Sequence, residues 1–279
     1  MDRLSEIIKR FNLHADVFFS GNLCSISEFE EPDGARGHIH ILKSGALQLI
    51  DDLGKKRNIA QPSVLFFPSG RKHRLVPDPV IGADLVCATI EYQDPKANPI
   101  AQSLPPFLKF QLSRYPDLKK AAKWLFKEAF GDKCGREPMI DRLCDIFIIQ
   151  VLRYVLDSEQ MTQGLLAGLS HPQLSQVIVK LHAQPEYPWS LDSMAEYAFM
   201  SRSKFADLFR EVVDETPGEY LTNWRMTVAQ NELLKGHTVN IVAKKVGYEN
   251  GSALARAFRK HSGTSPKKWQ QQNLQKDSR

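Results

Sequence analysis

Residues 191–200 read LDSMAEYAFM and residues 239–250 read VNIVAKKVGYEN, and these two stretches decide the fold. The first sets Leu191, Met194, Ala195 and Ala198 at helical spacing. The second sets Val239, Val242, Ala243 and Val246 at the same spacing, about 48 residues on. Each stripe has a small Ala at its middle. A tight turn follows, Phe199-Met200-Ser201 in one copy and Gly247-Tyr248-Glu249-Asn250 in the other. A second apolar stripe comes next, Phe205 and Phe209 in one copy, Leu254 and Phe258 in the other. Both copies close on a polar-Pro turn with an aromatic three residues after the Pro: Thr216-Pro217 to Tyr220, and Ser265-Pro266 to Trp269. Helix, short turn and helix with a small residue at the crossing is the helix-turn-helix, whose second helix fits the DNA major groove. Two copies in register make a far stronger pattern than one.

Pro217 to Leu234 predicts one continuous helix between the motifs, with Pro at the favoured first position. Its eighteen residues would span ~27 Å at 1.5 Å each. That is close to the ~34 Å of one DNA turn, so both recognition helices can enter successive major grooves on one face. In the first recognition helix Ser201 is a good N-cap. Phe205, Leu208, Phe209 and Val212 should face inward, and Arg202, Ser203, Ala206, Asp207 and Arg210 outward. Ser203, Ala206 and Asp207 fall where base edges are read, while Arg202 and Arg210 could reach a base or a phosphate. A carboxylate at Asp207 would select the amino group of cytosine, or it pairs only with Arg210 at helix spacing.

The second recognition helix runs from Asn250. Leu254 and Phe258 face inward; Gly251, Ser252, Ala255, Arg256 and Arg259 face outward. Arg256 is the candidate for a bidentate contact to guanine, with a plain phosphate contact as the alternative. Lys244, Lys245, Lys260, Lys267 and Lys268 would hold phosphates and set affinity without specifying sequence. Trp189, Trp224 and Trp269 read as core packing rather than as base-stacking residues.

Charge follows the same division. The net charge of +5 is concentrated in residues 225–279, which hold 11 Lys/Arg against 3 Asp/Glu; residues 171–224 hold 4 against 8. The second motif should therefore dominate the attraction to phosphates. With 279 residues and 42% hydrophobic content, the chain has room for two ordinary globular domains. No signal-peptide pattern opens the sequence, and no apolar run approaches the ~18 residues of a membrane helix. A cytoplasmic protein with no membrane partner is expected. Cys24, Cys87, Cys134 and Cys144 form no C-x-x-C pair, which excludes zinc-ribbon and thioredoxin signatures.

Upstream, Leu4, Ile7, Ile8 and Phe11 predict a short amphipathic helix. From about 17 to 92, short apolar runs such as Ile39-His40-Ile41-Leu42 and Val64-Leu65-Phe66-Phe67 alternate with Gly, Pro and Asp signals, which predicts a small β-sandwich or barrel. Two helices are expected at 117–130 and 138–158. The second is apolar nearly all round, and buries itself either in its own domain or against a partner subunit. Gln160 to Ser170 reads as a linker. The expected fold class is α+β in two domains. Residues 1–165 would form a β-barrel sensor with a helical dimerisation extension, and residues 172–272 an all-α double helix-turn-helix.

The stretch from Trp189 to Trp269 resembles the DNA-binding domain of the AraC/XylS transcription regulators. Met200-Ser201-Arg202-Ser203, Trp224-Arg225-Met226, Val246-Gly247-Tyr248 and Ser265-Pro266-Lys267-Lys268-Trp269 carry the likeness. More loosely, the N-terminal half resembles the cupin-like sensor of one branch of that family, through His38-Ile39-His40, Gly45, Pro68-Ser69-Gly70-Arg71-Lys72-His73, Cys87 and Leu104-Pro105-Pro106. The resemblance implies a cytoplasmic activator or repressor. Promoter DNA, RNA polymerase, a second copy of the chain and an effector would be its partners.

The effector stays open among several readings. His38 and His40 alternate on one strand and so share a face, and His73 completes half of a cupin pattern. Three imidazoles could hold a divalent metal, although Lys43 and Ser44 stand where that pattern wants an acidic ligand. A metal-free apolar pocket for a small molecule is the second reading. Cys24 and Cys87, on different strands of one domain, could approach each other as a redox pair. A sensorless dimerisation domain is the last. Two rivals for the whole chain are a cupin metalloenzyme fused to a DNA-binding module and a non-specific DNA coater.

Overall fold

A computed structural model describes residues 2–11, 13–31, 36–91, 99–157, 161 and 163–274. The chain divides into two compact units, Phe11–Met161 and a second made of Met1–Arg10 with Thr162–Arg279.

The first unit is β-rich. Its strands are β1 (His14–Leu23), β2 (Ser27–Phe29), β3 (Arg36–Gly45), β4 (Leu47–Asp51), β5 (Lys56–Ile59), β6 (Ser63–Phe67), β7 (His73–Pro77), β8 (Ala83–Glu91) and β9 (Leu108–Gln111). They form two antiparallel sheets, ordered β1-β8-β3-β6-β9 and β2-β7-β4-β5. Leu42, Leu65 and Leu85 of the first sheet and Leu49, Ile59 and Leu75 of the second meet in one buried core. Gly45, at φ +84°, joins β3 to its neighbours where a Cβ would lie 2.3 Å from the Gly82 carbonyl oxygen. Only glycine fits there.

Among the described residues, three α-helices complete this unit. With α1 (Ser5–Phe11) counted first in the chain, they are α2 (Pro99–Ser103), α3 (Pro116–Ala129) and α4 (Arg136–Asp157). Helix α4 buries Ile140, Leu143, Phe147, Val151 and Val155 within its own unit and leaves Met139 and Ile146 about half exposed. Its acidic residues protect the open edge of the first sheet. Asp145 Oδ1 accepts the Ala15 amide at 2.9 Å and Asp141 Oδ1 that of Val17 at 3.3 Å. These are outward N–H groups of edge strand β1, which would otherwise be free to pair with another chain.

The second unit is helical: α5 (Leu165–Ser170), α6 (Leu174–Ala183), α7 (Leu191–Tyr197), α8 (Arg202–Val213), α9 (Pro217–Leu234), α10 (Val239–Lys245), α11 (Gly251–Ser262) and α12 (Pro266–Leu274). The linker expected at Gln160 to Ser170 is corrected here. Gln160 and Thr162 lie outside the described residues, but Leu165, Leu166 and Leu169 of α5 are buried core. Gly168 allows the close approach, because a Cβ would stand 2.6 Å from Ile178 and 2.9 Å from Val213. A run with two glycines and polar flanks looks like a linker, but its three leucines at helical spacing decide the outcome. Helix α1 also belongs to this unit, where Arg3 donates to the Leu169 carbonyl at 3.2 Å.

Candidate functional site

Two helix-turn-helix pairs, α7–α8 and α10–α11, flank α9. Each turn is built locally by the residues the pattern singled out. Ser201 caps α8 by accepting the Lys204 amide at 3.4 Å, and Asn250 caps α11 by accepting that of Ala253 at 2.9 Å. Thr216 and Glu219 form a reciprocal capping box at the start of α9, behind Pro217. Both turns open on a residue in the left-handed region, Phe199 at φ 56° and Gly247 at φ 77°. Asp214 and Gly263 repeat that match after the two recognition helices, at φ 65° and 69°.

The α8 face exposes Arg202, Ser203, Asp207 and Arg210, with Ala206 half-buried. Arg202 pairs with Asp192 at 3.6 Å. No ion pair joins Asp207 to Arg210 among the described residues, so Asp207 is not held as the helix-spaced partner of Arg210. The inward stripe is Phe205, Phe209 and Val213, with Leu208 and Val212 only half-buried. On α11, Ser252, Arg256 and Arg259 are exposed and Ala255 is half-buried. Gly251, expected to face outward, is buried: a Cβ there would sit 2.3 Å from Asn240 Oδ1. It serves the contact between α10 and α11 rather than presenting a side chain.

Lys244, Lys260, Lys267 and Lys268 are exposed, but Lys245 is engaged. It bonds to Glu232, a nearly buried carboxylate that also takes Lys235 at 2.8 Å and faces His237 at 3.5 Å. Burial works to raise the Glu232 pKa, but the hydrogen bonds from Lys235 and Lys245 prevail and hold it down to about 2. This cluster ties the end of α9 to α10.

Sequence reading also missed Arg225. From α9 its guanidinium donates to the carbonyls of Pro185 and Tyr187, both at 2.8 Å, and stands 5.9 Å from the Tyr248 ring. A Trp-Arg pair in a helix gave no hint of a partner some forty residues upstream. Two of the three tryptophans read as core packing do pack: Trp224 is buried and stacks on His182 at 3.7 Å, and Trp269 meets Phe258 edge-on.

The sheets of the other unit bring together His38, His40, His73 and Cys87, all nearly buried. Register makes the meeting: His40 stands directly opposite Cys87 on β8, and His73 opposite Phe29 on β2. His40 Nδ1 is 3.0 Å from Cys87 Sγ, His40 Nε2 is 2.8 Å from His73 Nε2, and His73 Nδ1 is 2.6 Å from the Arg71 carbonyl oxygen. One proton arrangement satisfies all three. The Arg71 oxygen can only accept, so His73 Nδ1 carries a proton. Burial, partly offset by that hydrogen bond, lowers the His73 pKa to about 4, so the ring is neutral and its Nε2 accepts. His40 Nε2 therefore donates, its Nδ1 accepts, and the Cys87 thiol is the first donor. Burial also pushes the Cys87 thiol pKa well up and that of His40 well down, in agreement with this assignment.

His38 stands beside the chain, its Nδ1 without a hydrogen-bond partner among the described residues, and its Nε2 lies 3.8 Å from Glu31. Among the described residues no three His, Cys, Asp or Glu are arranged to hold a metal ion. His40 Nε2 carries a proton that occupies the His73 Nε2 lone pair, so neither nitrogen offers a lone pair to a metal in this arrangement. Cys24 and Cys87 are not brought together. Cys24 is exposed, with its thiol on Asn22, and both are free thiols. Cys87 lies opposite Phe19, and Cys24 is five residues further along, a distance of roughly 16–17 Å at ~3.3 Å per strand residue. A disulfide needs Cα atoms within ~7 Å.

Residues 2–157 match the family model described as Cupin, and residues 194–272 match a helix-turn-helix domain model. The HTH-type transcriptional regulator AlkR of Acinetobacter baylyi is 40% identical over 141 residues, covering 50% of this chain and 46% of AlkR. The chain thus spans about half of that relative. The RCS-specific HTH-type transcriptional activator RclR of Escherichia coli K12 is 29% identical over 251 residues, covering 86% of this chain and 87% of RclR. Among solved structures, the DNA-binding domain of the global transcriptional factor AdpA, in complex with a target DNA, is 30% identical. It covers 36% of this chain and 91% of that domain, with a TM-score of 0.33.

Proposed function

Because the chain belongs to the AraC/XylS-type regulators that carry an N-terminal cupin domain, we propose that it reads a promoter with α8 and α11 and answers to the chemical state of its buried imidazole–thiol chain. It is a regulator and not an enzyme; the relatives it matches are named as regulators. One observation carries the DNA reading. Two capped helices in one compact unit expose Arg210, Arg256 and Arg259, none of them in an ion pair with a described residue, and α9 joins the two motifs. Ser203, Ala206 and Asp207 read bases from α8, with Arg202 and Arg210 on a base or phosphate. Arg256 reads guanine from α11, with Asn250, Ser252 and Arg259 beside it. Backbone amides at the start of each helix and the free lysines engage phosphates.

The signal acts at the His40–Cys87 pair. A two-electron oxidant such as hydrogen peroxide would convert the Cys87 S–H to a sulfenic acid, S–O–H, with water leaving, and the larger, re-aimed group would lose its hydrogen bond to His40 Nδ1 in the core. That cost shifts the balance between DNA-bound arrangements. In the cell the protein acts in the cytoplasm as a homodimer that presents a surface to RNA polymerase. The half-exposed Met139 and Ile146 of α4 favour that pairing.

Footprinting of the full chain upstream of its own and neighbouring genes tests the reading, with and without mild oxidant. A discrete protected site, altered by oxidant in the wild type but not in Cys87→Ser, is expected. Uniform coating of DNA would refute sequence-specific regulation. A discrete site indifferent to oxidant in both proteins would keep the regulator and refute the thiol as its sensor.

A further inference from the structure

A second feature of the sensor unit lies outside its sheets and takes no part in the imidazole–thiol chain. Between the end of β9, the start of β6 and helix α3 is a cavity of about 890 Å³. That volume is in the range of small-molecule sites. Its floor is apolar, formed by Pro62, Leu112, Phe126 and Phe130.

Its rim is cationic. Lys119, Lys123 and Lys127 follow one another at four-residue steps and so line one face of α3. Lys43 reaches the same cavity from β3, with its Nζ 4.0 Å over the Phe130 ring. None of these four lysines makes an ion pair with a described residue, and the one acidic residue of the first turn, Asp117, is paired with Lys120 instead. Like charges at i,i+4 repel each other and weaken a helix. Lys127, near the C-terminus, is compensated by the helix dipole, whereas Lys119, in the N-terminal half, is not. A solvated surface face would explain one helix of lysines. It does not explain cations converging from two separate elements onto an apolar floor.

We propose that this cavity binds an amphiphilic organic anion, an alkyl or aryl body lying on Phe126 and Phe130 with its acidic head among Lys43, Lys119 and Lys123. Such a ligand buries apolar surface and neutralises the unpaired row in one step. The proposal stands apart from the DNA reading, since its test uses ligand binding alone.

The test is calorimetric titration of the full chain with decanoate, decanol and inorganic phosphate. It is repeated on Lys119→Gln/Lys123→Gln, in which two exposed side chains change, with circular dichroism to show that the fold is kept. A photoactivatable diazirine analogue of decanoate maps the site. One decanoate per chain, at least tenfold tighter than decanol, with at least tenfold loss in the double variant and labelling within residues 112–130, is expected. Absence of decanoate binding, equal binding of decanol, equal binding of phosphate, an unchanged double variant, or labelling confined to the strands that carry His40 and His73 would each overturn it.

Discussion

Phe199 and Gly247 occupy the same left-handed position in the turns of the two helix-turn-helix motifs, at φ 56° and 77°. Glycine meets that conformation without strain, whereas an L side chain is disfavoured by roughly 1–2 kcal/mol. Phe199 gains nothing back from burial, being 87% exposed. Replacing Phe199 with Gly should therefore stabilise the helical unit by about 1 kcal/mol, less the entropy that glycine adds to the unfolded chain. The reverse change at the matching site is harsher. A Cβ at Gly247 would lie 2.7 Å from the Arg225 guanidinium and 2.8 Å from the Glu186 carbonyl oxygen. Gly247→Ala should cost about 2 kcal/mol or more. Denaturant melts of both variants check the pair, and opposite signs are expected.

Arg225 holds the segment before α7 to the turn of the second motif, and each of its two charged hydrogen bonds is worth about 1.5–3 kcal/mol. Arg225→Ala should destabilise the unit by about 3 kcal/mol or more. It should also weaken binding to a full two-site operator more than binding to a single half-site, because the alignment of the recognition helices loosens. Arg225→Lys cannot reproduce the two-oxygen fork and should fall closer to Ala than to wild type. Gel-shift titrations on full and half operators read this difference directly.

Arg256 and Lys244 are both exposed, but they should fail in different ways. Arg256→Ala should cost about 1–3 kcal/mol at the cognate site and relax preference at one base position. Lys244→Gln should weaken all sequences alike and reduce the salt slope by about one unit. Binding measured across a base-substituted operator series and several salt concentrations separates the two. Intact specificity in Arg256→Glu would remove α11 from base reading.

Acid should loosen the sensor unit. His73 is held neutral, with a pKa of about 4, against 6.5 for an ordinary histidine. Between those values the unfolded chain binds the proton that the folded one refuses, so stability rises with pH across this window. It falls as pH drops from 6.5 toward 4. The loss is on the order of 3 kcal/mol at 1.36 kcal/mol per pKa unit, before the coupling to His40. Thermal melts at pH 7, 5.5 and 4.5 should show a falling midpoint, and His73→Phe, which keeps the stack on Phe67, should flatten that dependence.

The double helix-turn-helix was legible from the chain because everything it needs is local. Apolar stripes, a small Ala, Ser201 and Asn250 as caps and two Pro-led helix starts all act within a few residues of each other. Helix and strand order in the N-terminal half followed from the same short-range periodicity. What lay beyond reach depended on register and on contacts between distant segments. A one-residue slip of β3 against β8 would turn His40 away from Cys87, and no residue type in either strand announces the pairing. Cys24 and Cys87 seemed equally able to meet until the β1–β8 register set them apart. Leu165 to Leu169 passed for linker because only their packing against α6 and α8 makes them core. Sequence by itself determined the helices of the two motifs, most of their exposed faces and the family. The folded chain alone decided the proton order of the imidazole–thiol chain, the Arg225 clamp and the lysine-rimmed cavity, since each joins groups that only long-range packing brings within a few ångströms.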